Sequence, residues 1–261
     1  MMELVTLTTD FGYQDSYVAE MKGVMLGINP KARLVDLSHG IKAQNIKEAA
    51  YMLFLAYRYF PKGTIHVVVV DPGVGSERRI LLVKTKKFYF VAPDNGVLTY
   101  ILNAERGAIV RQVTNKKYFR KNVSSTFHGR DIMAPVAAYL TREQIFTKVG
   151  SILSDPERFL TPNPVKTKGQ LFGEVIYVDH FGNIVTNFTH AVLGEYTIGE
   201  ITIKKRTING IVPTYSSVQK NELLATYGSS GFLEISVNCG SAQALINASL
   251  GDKIAIQVAK R

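Results

Sequence analysis

The segment from Asp71 to Arg78 carries the first side chains that could do chemistry. Asp71 ends an apolar, β-branched stretch, and Gly73 and Gly75 allow the loop that follows to fold back tightly. The guanidinium of Arg78, seven positions after Asp71, can pair with its carboxylate. Because the segment lacks the Lys-Ser/Thr ending of a phosphate-binding loop, it does not predict a nucleotide phosphate site. Taken alone, the pair is also compatible with an ion pair that only stabilises the loop.

His128 and Asp10 are two further candidates in this half of the chain. His128 lies beside Gly129, and imidazole is the side chain best suited to move a proton near neutral pH. Asp10 follows the first apolar stretch, where a carboxylate can accept two hydrogen bonds from a ribose diol or bind a metal. Each also has a structural interpretation, as a core histidine or a turn-capping aspartate. The five histidines do not form a zinc-binding spacing, so no metal site is predicted.

The second half of the chain places polar residues at the ends of predicted strands. They are Asp179, Asn183, Ser229 and Asn238. An Asn amide can recognise a purine edge through its paired donor and acceptor, although ordinary Asx turns explain the same spacing. Cys239 has no histidine near it in the sequence, so we expect an inert residue rather than a nucleophile.

The elements that must position these residues alternate between strand and helix up to about residue 140. Apolar patterns predict strands at 4–9, 33–37, 64–70, 80–84, 88–91 and 109–113, with helices at 17–28, after Asn45, around 98–102 and at 132–140. The nearly all-apolar stretch 64–70 is typical of a parallel strand covered on both faces. The alternation predicts an N-terminal α/β sandwich with a mostly parallel central sheet, whose strand ends are the usual place for ligands.

A proline-rich stretch ends this alternation. Pro156, Pro162 and Pro164 lie within nine residues, which is typical of a linker. We therefore predict an N-terminal α/β domain over residues 1–164 and a C-terminal domain over residues 165–261. Short strands separated by turns, at 172–178, 183–188, 200–204, 207–212, 232–237 and 253–258, predict that the smaller C-terminal domain is an all-β barrel.

Composition restricts the class of protein further. The chain has 261 residues, 46% hydrophobic and 20% charged, as in ordinary globular proteins rather than fibrous or disordered ones. No apolar run approaches the ~18 residues of a membrane span. The net charge of +10 comes from scattered Lys and Arg, so nucleic acid is not an expected partner. The single cysteine and the absence of a signal-like N-terminus favour a cytoplasmic location.

Five motifs, in order along nearly the whole chain, are similar to those of the S-adenosylmethionine hydroxide adenosyltransferase family, the hydrolytic relatives of fluorinase and chlorinase. The resemblance implies an N-terminal α/β domain, a C-terminal β-barrel, and a homotrimer with active sites between the first domain of one subunit and the second domain of its neighbour. It implies hydrolysis of S-adenosylmethionine to adenosine and L-methionine, without a cofactor. The motifs are Thr9-Asp10-Phe11-Gly12, Asp71-Pro72-Gly73-Val74-Gly75, Pro93-Asp94-Asn95-Gly96, Phe127-His128-Gly129-Arg130-Asp131 and Asp179-His180-Phe181-Gly182-Asn183.

The resemblance also implies roles for residues of the first domain. Asp71, Arg78 and His128 would position and deprotonate the attacking water. Asp10 would grip the ribose hydroxyls, and Phe127 would belong to the substrate pocket. Whether His128 or Asp71 accepts the proton stays open at the level of sequence.

In the second domain the resemblance implies contacts to the base and to methionine. Asn183 would read the adenine edge, and Asn238 would lie near the base. Asp179 and Ser229 would hold the amino and carboxylate ends of methionine. Two departures concern the methionine end: the motif 179–183 is one residue shorter than in the halogenases, and Ser230 stands where they have Arg.

Two other functions fit parts of the sequence. A halide-using 5′-halogenase would share most motifs, but halogenases are expected to carry Tyr where Asp71 stands and to lack the matching His128, so the resemblance favours water. A sensor that binds adenosine or S-adenosylmethionine without significant turnover would keep the same pocket. Since the substrate is itself a cation, local carboxylates such as Asp10 and Asp179 are expected to matter more than the basic net charge.

Overall fold

The computed structural model describes residues 3–261. The chain forms two compact units, one that ends at Phe159 and one over Leu160–Arg261. The division falls five residues before the boundary that the proline-rich stretch predicts between residues 164 and 165. Among the described residues, each helix is too short or too polar to cross a lipid bilayer.

The first unit is built on a six-stranded sheet in the order β2-β1-β3-β5-β4-β6. Strands β2, β1, β3 and β5 are parallel, and β4 runs antiparallel to β5 and β6. The strands are β1 (Leu4–Thr9), β2 (Arg33–Ser38), β3 (Ile65–Val69), β4 (Ile80–Lys84), β5 (Tyr89–Pro93) and β6 (Ile109–Gln112). The helices are α1 (Tyr17–Ile28), α2 (Ile46–Ala56), α3 (Thr99–Ala104), a π-helix (Gly129–Met133) and α4 (Ala134–Arg142).

Helices cover both faces of this sheet. Every side chain of β1 and β3 is buried, as the near-continuous apolar pattern of central parallel strands requires. Successive residues of β3 belong to different cores: Val67 and Val69 pack with α1 and α4, whereas Val68 packs with α2 and α3. The parallel arrangement brings the carboxyl ends of β1, β2, β3 and β5 to one edge of the sheet, where Asp10 and Asp71 follow β1 and β3.

Two helix starts show how local sequence sets the boundaries. The Asn45 side chain accepts a hydrogen bond from Glu48 N at 3.1 Å and donates to Glu48 Oε2 at 2.9 Å, which confirms the predicted cap of α2. The helix predicted at 132–140 instead begins with the π-helix at Gly129, and Pro135 lies in the first turn of α4. Apolar spacing alone does not distinguish a π turn from an α turn, because the two differ by one residue per hydrogen bond.

The second unit is an eight-stranded, antiparallel and nearly closed barrel in the order β11-β10-β14-β8-β9-β13-β12, with β7 on β8. Its strands are β7 (Val165–Thr167), β8 (Gln170–Val178), β9 (Ile184–Thr189), β10 (Tyr196–Ile203), β11 (Arg206–Asn209), β12 (Leu223–Tyr227), β13 (Phe232–Val237) and β14 (Lys253–Lys260). Short helices α5 (His190–Leu193) and α6 (Ala242–Ile246) complete it. The prediction omitted β7, which is fully exposed and has no apolar alternation, and β12, whose LLATY sequence does not alternate either.

Candidate active site

A cavity of about 620 Å³ lies at the carboxyl edge of the first unit's sheet. Its walls come from the loops that follow β1, β2 and β3 and from the segment that leads into the π-helix. Asp10, Asp71, Phe127 and His128, which the sequence analysis assigned to the site, line this cavity together with other residues of their motifs, whereas Arg78 lies behind Asp71 and is not part of the lining. Segments more than 100 residues apart in the chain therefore meet at one place.

Asp71, Arg78 and His128 form a continuous hydrogen-bonded set. Arg78 Nε lies 2.9 Å from both carboxylate oxygens of Asp71, and Arg78 Nη2 donates to Oδ2 at 2.5 Å. The same Nη2 lies 2.8 Å from His128 Nδ1. The side chains of Arg78 and Asp71 are only 10% and 5% exposed, so their pairing takes place largely out of water. One guanidinium thus joins the carboxylate to the imidazole.

The contact with Arg78 fixes the tautomer of His128. A guanidinium has donors and no acceptor, so Nδ1 must be the acceptor and the ring proton is assigned to Nε2. Burial, followed by the positive charge of Arg78, lowers the pKa of His128 from its ordinary value. The imidazole is therefore neutral near neutral pH, with one N–H donor at Nε2.

Missing side chains at two glycines let these loops approach each other. A Cβ on Gly75 would lie 2.4 Å from the backbone oxygen of Ser125, so only glycine lets the loop after Asp71 pack on the segment before His128. Gly75 also has a φ of +81°, which glycine adopts without a steric penalty. A Cβ on Gly129 would lie 2.9 Å from a Val69 methyl at the end of β3. Both contacts bring His128 next to the end of β3.

Asp131 anchors the segment that carries His128. This fully buried carboxylate accepts hydrogen bonds from Arg120 Nη1 at 2.8 Å, from Arg130 Nε at 2.7 Å and from Ser124 N at 2.8 Å. Burial alone would raise the pKa of Asp131, but these bonds outweigh it and lower the pKa to about 2. Sequence reasoning gave Asp131 no role, although an acidic residue directly before an apolar helical stretch was the available signal.

Asp10 and an aromatic cluster form the opposite part of the cavity lining. The backbone N–H of Gln44 donates to Asp10 Oδ2 at 2.7 Å, which holds the carboxylate in one orientation. The ring of Phe127 makes edge contacts with Phe11 and Tyr17, with centroids 5.6 and 5.3 Å apart. A carboxylate beside an aromatic surface suits a ligand with both hydroxyl groups and an apolar ring system, such as a nucleoside.

The second unit brings Asp179 and Asn183 together within one turn. Asp179 Oδ1 accepts from the backbone N–H groups of Phe181 and Asn183 at 2.9 and 2.8 Å, and Asn183 Nδ2 donates to Asp179 Oδ2 at 2.7 Å. This is the hydrogen bonding of an Asx turn. Ser229 is exposed in a separate turn, and Asn238 donates to Val218 O at 2.8 Å.

Glu234 is a buried acidic residue in the second unit that sequence reasoning missed. Tyr215 donates its hydroxyl to Glu234 Oε2 at 3.0 Å, and the carboxylate occupies the space that a Gly228 side chain would take. Burial raises the pKa of Glu234, and the negative charge of Asp179 raises it further. Burial and then the charge of Glu234 raise the pKa of Tyr215 to about 12. The sequence feature that could have pointed to Glu234 is a lone acidic residue inside the apolar strand β13.

Comparison with known proteins decides the family. The S-adenosylmethionine hydroxide adenosyltransferase N-terminal domain matches residues 5–150, and the C-terminal domain of the same family matches residues 173–255. The chain belongs to this family. The family resemblance and the fold class predicted from the sequence, an α/β sandwich followed by a β-barrel, are both confirmed.

Relatives of this adenosyltransferase chain include hydrolases and halogenases. It is 38% identical to the (R)-S-adenosyl-L-methionine hydrolase of Methanocaldococcus jannaschii, over 98% of this chain and 96% of that one. It is 27% identical to the fluorinase of an Actinoplanes species, over 90% of this chain and 91% of that one. The crystal structure of an uncharacterised conserved protein from Thermotoga maritima matches with a TM-score of 0.90 at 37% identity, and covers 97% of this chain and 99% of that one.

Proposed function

We propose that this chain hydrolyses S-adenosyl-L-methionine to adenosine and L-methionine, by in-line attack of water at the ribose C5′. The observation that carries the proposal is the Asp71–Arg78–His128 set, in which Asp71 and His128 line a cavity of about 620 Å³ and Arg78 joins them. The hydrolase of M. jannaschii, at 38% identity, supports water as the nucleophile, and the fluorinase relative is more distant.

The chemistry of the substrate sets what the site must supply. A sulfonium is already an excellent leaving group, so displacement at C5′ needs no general acid, no metal and no covalent intermediate; we accordingly propose that no cofactor takes part. The site must instead position one oxygen nucleophile in line with the C–S bond. Because an incipient hydroxide and a sulfonium neutralise each other in the transition state, a dry pocket does not penalise the reaction.

The geometry supports different roles for His128 and Asp71 in this proposal. His128 has its proton on Nε2 and its Nδ1 lone pair engaged by Arg78, so it orients the oxygen of the water as a donor. Asp71 accepts the proton, because its carboxylate oxygens keep lone pairs beyond those that Arg78 occupies. Arg78 fixes both partners. General-base assistance of this kind contributes ~10²–10⁴-fold to a rate.

Substrate binding divides between residues of the two units in this proposal. Asp10 accepts hydrogen bonds from the ribose hydroxyls, and Phe127 provides part of the apolar wall. In the C-terminal unit Asn183 reads the adenine edge and Asn238 lies near the base, while Asp179 and Ser229 hold the methionine. We propose a homotrimer in which the N-terminal unit of one subunit and the C-terminal unit of its neighbour complete each site, since each unit holds only part of this set.

Three further properties belong to the proposal. The substrate has the R configuration at sulfur, as the name of the M. jannaschii relative specifies. The protein acts in the cytoplasm, where its single cysteine stays reduced. Nucleic acid is not a partner, because the basic residues are scattered rather than clustered.

The test is product analysis with separated sulfonium epimers. Purified protein is incubated with the R or the S epimer in chloride-free and in chloride-containing buffer, and adenosine, methionine and 5′-halogenated nucleosides are separated by chromatography. Adenosine and methionine in both buffers, preferentially from the R epimer and lost in Asp71→Ala, support the hydrolase. A halogenated nucleoside that depends on the halide would establish the halogenase instead. Adenosine binding with equally inert wild type and variant would identify a sensor.

A further inference from the structure

A chain of polar side chains, buried at Thr9 and His39 and partly exposed at Asp36 and Lys22, joins the ends of β1 and β2. Thr9 Oγ1 lies 2.8 Å from His39 Nδ1, and His39 Nε2 lies 3.0 Å from Asp36 Oδ1. Lys22 Nζ donates to the other oxygen of Asp36 at 2.7 Å. Thr9 and the His39 side chain are fully buried, and among residues 3–261 the contact between His39 Nε2 and Asp36 Oδ1 is a close polar contact without hydrogen-bond geometry.

This chain ends in the loop that carries Asp10. Thr9 precedes Asp10, and the Thr9 hydroxyl accepts a hydrogen bond from Phe11 N at 3.3 Å. The carbonyl of His39 accepts from Gly12 N at 2.8 Å. The residues on both sides of Asp10 are therefore held by Thr9 and His39, while Gln44 N holds the Asp10 carboxylate itself.

Thr9, His39 and Asp36 do not line the cavity, so none of them reaches a ligand there directly. Buried polar groups cost free energy unless each finds a partner, and a connected set holds its members in one arrangement. We infer that Asp36, His39 and Thr9 are positioning residues that hold Asp10 in the orientation needed to accept hydrogen bonds from a ribose diol. The inference rests on the proposed function, because Asp10 is the ribose-binding residue in it.

The same sheet contains a matched control. His66 is also fully buried, and its Nδ1 lies 2.7 Å from the hydroxyl of Thr6, another residue of β1. Its surroundings differ, because the ring of His66 packs against Phe88 and Phe90 in the aromatic core. Like His39, His66 contacts a threonine hydroxyl of β1 through Nδ1. Among the described residues, however, no hydrogen bond joins His66 to the loop that carries Asp10.

The experiment compares adenosine with 2′-deoxyadenosine by titration calorimetry. The variants are His39→Phe and Thr9→Val, which remove the polar contacts at similar volume, and Thr9→Ser, which keeps the hydroxyl. We expect wild type to prefer adenosine by ~10-fold or more, the size of a hydrogen bond to a carboxylate. We expect His39→Phe and Thr9→Val to reduce that preference to about threefold or less, and Thr9→Ser to retain it.

Kinetics and the control variants give an independent readout. His39→Phe and Thr9→Val should raise the KM for S-adenosylmethionine about as much as they weaken adenosine binding, with kcat within about threefold of wild type. His66→Phe and Thr6→Val should lower the melting temperature and leave the preference for adenosine unchanged. If His39→Phe does not fold, Asp36→Asn together with the Thr9 pair provides the same comparison.

The outcomes separate the two proposals. If wild type discriminates between the nucleosides and the folded His39 and Thr9→Val variants discriminate equally well, the positioning role is wrong. If His66→Phe abolishes the preference as strongly as His39→Phe, the effect is general destabilisation and the positioning role is again wrong. If wild type itself shows no preference, the ribose-binding role of Asp10 in the proposed function fails first.

Discussion

The candidate residues of the first unit and those of the second are held in different ways. Asp71 and Arg78 lie in the loop between β3 and β4, His128 precedes the π-helix, and one largely buried guanidinium connects the three. Asp179 and Asn183 are four residues apart and are held by the hydrogen bonds of a single turn. The first set joins two separate segments at the wall of a cavity, whereas a local turn explains the contacts of the second set. Geometry within one chain thus supports the first set more strongly.

The largest effect should come from removing the carboxylate of the first set. Asp71→Asn leaves Arg78 paired with a neutral amide that cannot accept a proton, so we expect kcat to fall by ~10²–10⁴-fold. Adenosine affinity, measured by calorimetry, should change by only about threefold, because the proposed function has Asp71 act on the water rather than the nucleoside. Full activity of a folded Asp71→Asn protein would remove the basis of the comparison.

His128 should show the next largest effect, together with a pH signature. We expect His128→Ala to lower kcat by about 10–100-fold while the KM changes little. Since burial and Arg78 lower the pKa of His128, the neutral ring persists to pH values below its ordinary 6.5. Acid protonates Nδ1 and breaks the bond from Arg78, so wild-type kcat should fall only below pH 6.5. If kcat of His128→Ala falls with acid in the same way as kcat of wild type, a group other than His128 causes the fall.

Asp131 tests whether the first set depends on its buried anchor. Asp131→Ala leaves Arg130 and Arg120 without their carboxylate, and we expect a loss of ~3 kcal/mol in the free energy of unfolding. In wild type the lowered pKa, about 2 against an ordinary 3.8, stabilises the fold fully above pH 3.8. That contribution is lost as the pH falls from 3.8 through about 2. Denaturant titrations across this range should show that the free energy of unfolding depends less on pH in Asp131→Ala than in wild type.

The smallest effect should come from the turn of the second unit. Asp179→Ala removes three hydrogen bonds of one turn, so we expect a stability loss of ~1 kcal/mol. If Asp179 also holds the methionine, the KM for S-adenosylmethionine should rise ~10-fold while adenosine binding stays the same. A loss of stability without any change in KM would mean that Asp179 only stabilises its turn. The residues of the second unit would then differ more clearly from those of the first.

Much of the fold was predictable because its signals are local. The apolar stretch 64–70 and the Asn45–Glu48 cap are read from neighbouring residues, and both appear in the structure as expected. Three of the five motifs, those that begin at Thr9, Asp71 and Phe127, contain residues that line the cavity. The π-helix at Gly129 was not predictable, because apolar spacing does not distinguish a π turn from an α turn.

The features that sequence missed are those decided by contacts between distant segments. The tautomer of His128 follows from Arg78, which is 50 residues away in the chain. The proposed role of His39 depends on Thr9, which meets it because β1 and β2 are neighbours in the sheet, whereas Asp36 lies only three residues before His39. Glu234 interrupts an apolar strand, and only the fold shows that Tyr215 and the space beside Gly228 accommodate it.

The shared guanidinium also restricts how this site can change during evolution. Arg78 binds Asp71 through two nitrogens, Nε and Nη2, and Nη2 also reaches His128. Lysine at position 78 would offer a single nitrogen in place of this planar group, so it could not make all of these contacts. Loss of Asp71 alone would leave a largely buried cation without its counterion, which is costly. Lineages that abandon water as the nucleophile are therefore expected to replace all three residues together rather than one at a time.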